Sequence, residues 1–183
     1  MIYPIVAFGS PVLKKEAEDI IKGDIDVDQL SKDMFETMYN ARGVGLAAPQ
    51  IGKSIRMFVV DAEPFGEEEC KGFKRVFINP EILEESEEEW AFNEGCLSIP
   101  GVNEDVFRPE WIKVKYFDEN WNEHTEEMDG LNARVFLHEF DHIEGILFTD
   151  YLSGLKKRLN KKKLVNISKG KVDVSYRMRF PQK

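Results

Sequence analysis

Residues 137–145 read LHEFDHIEG: two histidines four apart, a glutamate directly after the first and an aspartate directly before the second, in a run otherwise largely apolar. How this stretch is read decides the fold. The apolar residues Leu131, Val135, Phe136, Leu137, Phe140 and Ile143 do not keep to one stripe, the pattern of a helix covered on several sides by the rest of its domain. We expect that helix from about Leu131 to Glu144, ended by Gly145. A helix so placed cannot leave His138, Glu139, Asp141 and His142 all in water, and burying them unpaired is costly. At about 100° per residue, His138 and His142 lie about 40° apart around the axis and one turn apart along it, so both imidazoles reach one point. Such a point suits a metal ion. Glu139 beside the pair can hold a water on that ion, which is the physical content of the H-E-x-x-H pattern.

Working outward, Asp26 and Gln29 form a capping-box pattern, Ile25 and Leu30 can staple it, and Leu30, Met34 and Met38 share one face. This predicts an N-terminal helix that stops at Gly43. The segments IRMFVVD (55–61), KRVFINPEIL (74–83) and WIKVKYFDENWNEHTEEM (111–128) are rich in β-branched and aromatic residues and read as strands and a hairpin. The acidic runs GEEEC (66–70) and EESEEEW (84–90) read as a solvated loop and a hairpin edge. The fold class is therefore α+β: a central metal-binding helix packed among antiparallel β-sheets, with an N-terminal helix and a C-terminal helix. With 183 residues and 42% hydrophobic content, residues 1–183 are expected to form one domain.

Charge and composition exclude several function classes. Lys plus Arg is 25 against 34 for Asp plus Glu, a net charge of -9 that argues against a general nucleic-acid coat and against DNA binding. No apolar run is long enough to span a bilayer. The opening MIYPIVAFGSPVLKK lacks a basic leader and is broken by Pro4 and Gly-Ser-Pro at 9–11, so it reads as neither signal nor transit peptide. Cytoplasmic residence is expected, with Cys70 and Cys96 as free thiols or ligands.

A catalytic metal site needs a third protein ligand. No histidine follows His142 and no glutamate follows Glu144, which removes the downstream ligands of the common H-E-x-x-H peptidases. Asp150, Asp173, His124, Cys70 and Cys96 remain. Cys96 is preferred, because NEGCLSIPG (93–101) is glycine-flanked and lets the backbone come close to a bound group, whereas the acidic surroundings of Cys70 disfavour its thiolate. The stretch GVGLAAPQIG (43–52) reads either as a helix stop and tight crossing or as exposed backbone and the Gln50 amide facing a substrate.

Three motifs in this order, GVGLAAPQ, EGCLS and HEFDH, closely resemble those of the peptide deformylase family, and PIVAFGSPVLKK, INPEI and FTDYLS extend the resemblance over nearly the whole chain. The resemblance implies removal of the formyl group from the N-terminal formyl-methionine of newly made proteins, releasing formate. It implies Cys96, His138 and His142 as metal ligands, Glu139 as proton carrier, the Gln50 side chain and Leu97 N–H as oxyanion donors, and Gly45 against the formyl end of the substrate. The methionine side chain would enter a pocket near Val44, Phe92, Glu94, Leu131 and Val135, with Arg134 at its rim. Fe(II) is the implied metal, with zinc, nickel or cobalt as substitutes. Leu137 stands where family members very often have glutamine, and Asn103 where many have arginine, which bears on fine tuning and on peptide affinity.

Lys156, Lys157, Arg158, Lys161, Lys162 and Lys163 form a basic segment in an otherwise acidic chain. Most such runs are only a solvated helix face; because nascent formyl-methionyl peptides emerge from ribosomes, the alternative reading is a contact for ribosomal RNA. The rival readings are a zinc peptidase and a closed structural metal site with His124 or Cys70 as fourth ligand.

Overall fold

The strand Met57–Asp61 carries four consecutive apolar residues, and all four are buried. A strand of that composition is covered on both faces, and the computed structural model, which describes residues 1–181, shows what covers it. In chain order the elements are β1 (Ile5–Val6), α1 (Val27–Asn40), β2 (Gly45–Ala47), β3 (Met57–Asp61), β4 (Lys74–Glu85), β5 (Glu89–Cys96), β6 (Ile99–Pro109), β7 (Trp111–Phe117), β8 (Glu123–Asp129), α2 (Gly130–Ile143), α3 (Gly154–Ser168) and β9 (Met178–Arg179). Five strands form one sheet in the order β2-β3-β4-β7-β8, antiparallel throughout. β5 and β6 form a separate hairpin, and β1 pairs with β9 in parallel. This is the expected α+β class.

Successive side chains of β3 point to opposite faces of the sheet. Met57 and Val59 cluster with Leu30, Met34 and Met38 of α1. Phe58 and Val60 cluster with Ala133, Phe136 and Leu137 of α2. The sheet is thus sandwiched between the two helices. Phe58, Phe77 and Phe136 meet with ring centroids 4.9, 5.2 and 5.0 Å apart. Truncating a ring of this kind typically costs about 3–5 kcal/mol, so the trio pins α2 against the sheet. Ile99, Val102 and Val106 of β6 join Phe148, in the turn after α2, and Ile167 of α3 in a third cluster. Every residue of α2 from Leu131 to Ile143 is buried or half-buried, as its scattered apolar pattern requires.

Asp26 caps α1 by accepting from the Gln29 N–H at 2.9 Å. The Gln29 amide turns to Asp33 instead of returning to the cap, so only half of the capping box forms. The α1 terminus also differs from expectation: Arg42, at φ 58°, takes the left-handed position. Gly43 follows it, and its N–H bonds to the Met38 carbonyl. Gly43 is needed for closeness, since a Cβ there would stand 2.8 Å from Leu97 Cδ1. At the end of α2, Gly145 takes the left-handed position as predicted, at φ 72°. Among the described residues no helix is long and apolar enough to cross a membrane.

Two expectations need correction. Cys70 is not a surface-loop residue: Glu67, Glu68 and Glu69 stay exposed, but the tight turn they form points the thiol into the α2 core cluster. Residues 45–47 are not merely a helix stop, because they form an edge strand paired with β3.

Candidate metal centre

Three elements converge at one end of the sheet. α2 presents His138 and His142, β5 ends at Cys96, and β2 with the turn after it brings Gly45 and Gln50. Cys96 Sγ and one nitrogen of each histidine lie within 4.8 Å of one another. Cys96 Sγ stands 3.4 Å from His142 Nε2. A sulfur about 2.3 Å and a nitrogen about 2.0 Å from one tetrahedral ion stand about 3.5 Å apart, so the spacing fits a metal. A soft thiolate with two imidazoles also suits a late first-row divalent ion.

The other candidate ligands lie elsewhere. His124 is exposed and bonds Asp118 at 2.7 Å. Cys70 sits in the core, and Asp150 accepts from the Leu147 N–H while pairing with Lys14. Asp173 lines the cavity but does not join the donors. Neither His124 nor Cys70 is therefore in place to close the site as a fourth ligand.

The orientation of His138 is set from behind. Its Nδ1 meets Glu94 Oε1 at 2.8 Å, leaving Nε2 for the site. Glu94 also accepts two bonds from Arg108, at 2.7 and 2.9 Å, and one from Arg134 at 2.8 Å. Arg108 reaches on to Asp141 at 2.7 Å, which accepts from Tyr151 as well. Burial opposes a charge on Glu94, but His138 and Arg108 hold its carboxyl well below the usual range. Burial likewise opposes a charge on His138, yet Cys96 and Glu94 outweigh it and raise its pKa well above the usual histidine value. Such backing of a ligating histidine fixes its ring and its basicity.

Glu139 is buried, and among the described residues its Oε2 has no hydrogen-bond partner. Burial pushes its pKa up to about 7, which suits proton transfer near neutrality. Gly45 lies against it: a Cβ at Gly45 would stand 2.8 Å from both Glu139 Cγ and Cδ. Gln50 is locked by the Ala47 N–H donating to its Oε1 at 2.9 Å, which turns Nε2 toward Cys96 Sγ at 3.5 Å and Ser98 Oγ at 3.2 Å. Leu97 is at the tip of the β5–β6 hairpin, between the paired residues Cys96 and Ile99.

These groups border a cavity of about 660 Å³ whose walls include Val44, Phe65, Phe92, Val135, Gly45, Gln50, Cys96, Leu97, His138 and Glu139. Leu131 does not line it and packs on the α2 core cluster instead. Arg134 borders the cavity while only 2% exposed, bonded to Glu94 and to the Val106 and Trp90 carbonyls, with its guanidinium over the Trp90 ring. Glu94 borders the cavity, but its carboxylate is committed to His138 and the arginines. Leu137 is buried in the core. Asn103 packs its amide oxygen beside Gly95, where a Cβ would stand 2.5 Å from it.

Sequence reasoning missed Arg108, Tyr151, Phe65, Ser98 and Tyr176. No local pattern marks them, since pairing of β5 with β6 is what sets Arg108 opposite Trp90 and near Glu94.

The model of the polypeptide deformylase family matches residues 2–158. A peptide deformylase of Cytophaga hutchinsonii is 61% identical over 183 residues, covering 100% of both chains. One of Christiangramia forsetii is 59% identical, covering 99% of this chain and 97% of its own. The crystal structure of a peptide deformylase from Legionella pneumophila superposes with a TM-score of 0.82 at 40% identity, covering 92% of this chain and 96% of that one.

Proposed function

Because the chain belongs to the polypeptide deformylase family, we propose that Cys96, His138 and His142 hold its metal and that Glu139, Gln50 and Leu97 carry its reaction. The protein is a metallohydrolase that removes the formyl group from the N-terminal formyl-methionine of newly synthesised proteins and releases formate. Residues 1–183 are read as one catalytic domain. The observation that carries the assignment of roles is the convergence of the Cys96, His138 and His142 donors beside the buried, unpartnered Oε2 of Glu139, on the wall of one cavity.

A divalent ion held there, which we take as Fe(II) with zinc, nickel or cobalt as substitutes, supplies Lewis acidity toward a water and the formyl carbonyl. Glu139 Oε2 takes the proton that water gives up as it adds to the formyl carbon. When the C–N bond breaks, the same oxygen passes that proton to the leaving amine. The Gln50 Nε2 and Leu97 N–H donate to the formyl oxygen as it gains negative charge. Gln50 needs no reorganisation for this, because the Ala47 N–H already holds its amide. Gly45 leaves room for Glu139 and for the small formyl group at once. Val44, Phe92 and Val135, with Phe65, offer an apolar wall for the methionine side chain. Glu94 acts behind the site through His138, and Arg134 holds Glu94 while also bordering the cavity.

The substrates emerge from ribosomes, so the reading places the enzyme in the cytoplasm and gives α3 a second role. Lys157, Arg158, Lys161, Lys162 and Lys163 are exposed along it, while Lys156 pairs with Glu104 at 3.1 Å. Charge reversal of the exposed five should abolish salt-sensitive cosedimentation with ribosomes; unchanged cosedimentation overturns the contact.

The central test is formate release from formyl-Met-Ala by anaerobically prepared protein, wild type against Glu139→Gln. The variant should keep its metal and lose about 10²- to 10⁴-fold in turnover. Normal metal content with less than about a tenfold loss would show that Glu139 does not carry the proton.

A further inference from the structure

The hairpin tip that carries Leu97 is a two-residue turn between Cys96 and Ile99. Its polar groups are tethered one by one. The Phe8 N–H donates to the Ser98 carbonyl at 2.9 Å, and Gln50 Nε2 donates to Ser98 Oγ at 3.2 Å. The remaining carbonyl, that of Leu97, accepts from the Tyr176 hydroxyl at 2.7 Å. Tyr176 comes from a segment that lies outside the matched residues 2–158. After α3 the chain turns back, and Asp173, Val174, Ser175 and Tyr176 form one wall of the catalytic cavity. The segment is anchored beyond Tyr176, where Met178 and Arg179 pair with Ile5 and Val6. The Arg179 guanidinium also lies close over Gly52. The Tyr176 ring, half-buried, packs with Leu97 against the α1 core cluster.

We propose that Tyr176 is a positioning residue for the deformylation reaction, holding the Leu97 carbonyl so that the N–H of the same residue stays aimed at the formyl oxygen. The inference rests on the oxyanion role given above to Leu97. A donor to a developing charge works only when it is already placed, to within about 0.5 Å. Without the phenol, the polar groups of the turn are tethered on the Ser98 side alone. The phenol closes the other side. Its contact is with the carbonyl, away from the reacting atoms, so it should contribute to turnover and little to ground-state binding.

The test is Tyr176→Phe, which keeps the ring and removes only the donor. Expected are normal metal content, an unchanged KM for formyl-Met-Ala, unchanged affinity for the product Met-Ala, and a kcat lowered about three- to tenfold, the usual size for one hydrogen bond. Gln50→Ala is measured beside it. A wild-type kcat in Tyr176→Phe, together with a reduced kcat in Gln50→Ala, overturns the positioning role while leaving the oxyanion reading intact. Equal losses in kcat and in Met-Ala affinity, or loss of metal, assign Tyr176 a purely structural role and also overturn the proposal. If both variants keep a wild-type kcat, the oxyanion reading itself falls, and the proposal with it.

Discussion

Replacing Gly45 by alanine tests the geometry of the site more sharply than removing a catalytic group. Gly45 does not have a positive φ, so alanine meets no backbone strain and the effect is steric. The new methyl would overlap Glu139 Oε1 most closely and lie 2.8 Å from Cγ and Cδ. Carbon pairs settle near 3.5–4.0 Å, so an opening of roughly 0.7–1.2 Å is required. The backbone resists it: β2 is paired to β3, and α2 is pinned to the same sheet by Phe58, Phe77 and Phe136. The carboxylate must swing instead. A displacement of about 1 Å of a catalytic group can cost about 10²-fold in rate. We therefore expect Gly45→Ala to keep its metal and melting temperature and to lose about 10²-fold in kcat, no more than Glu139→Gln loses. Gly154→Ala is the control, since a Cβ there has nothing within 4 Å. The assay is formate release under saturating formyl-Met-Ala, with metal content measured on the same samples. A Gly45→Ala kcat within threefold of wild type would refute the reasoning, because it would mean that Glu139 relaxes without losing its place.

Arg108→Met leaves Glu94 and Asp141 buried without their shared cation; breaking a buried pair in this way costs about 3–5 kcal/mol, and loosening His138 should weaken metal binding about 10- to 100-fold, read by thermal melts and chelator competition. Because Glu94 is held below the ordinary glutamate value of 4.5, the unfolded chain binds more protons in acid; its stabilisation is complete above that value and is lost as pH falls through it toward the folded value. Urea midpoints of the apoprotein should therefore fall less steeply with acidification in Arg108→Met than in wild type, and parallel acid limbs would contradict the assignment. Burial, with Glu69 and Glu67, pushes the Cys70 thiol up, so iodoacetamide should label only Cys96 in the folded apoprotein and reach Cys70 after denaturation; equal labelling would show that Cys70 is accessible. Iron beside the Cys96 thiolate gives oxygen an oxidisable pair, so the iron-loaded enzyme should lose activity in air while the nickel-loaded enzyme survives, and equal decay in a time course of formate release argues against oxidation at this site.

Much of the chemistry was legible because it is local. The four-residue spacing of His138 and His142 fixes their common direction wherever the helix lies, and the scattered apolar residues around them require a buried helix. The apolar run of β3, the cap at Asp26 and the stop at Gly145 also follow from neighbours in the chain. Cys96 was reached by elimination among few candidates, with its glycine-flanked setting as support. Other features depend on partners distant in sequence. Arg108 becomes a buried cation behind the site only when β6 pairs with β5, and the bond of Arg134 to Glu94 likewise needs that hairpin to close over α2. Cys70 is turned inward by a tight turn whose glutamates remain in water. Gly45 resembles any small turn residue until α2 sets Glu139 against it. Tyr176 reaches Leu97 across 79 residues of chain. A side-chain pattern within a few residues records which face is buried and which groups share it, because backbone geometry fixes those directions. Which distant group meets that face is decided by strand pairing and packing, and only the tertiary structure contains it.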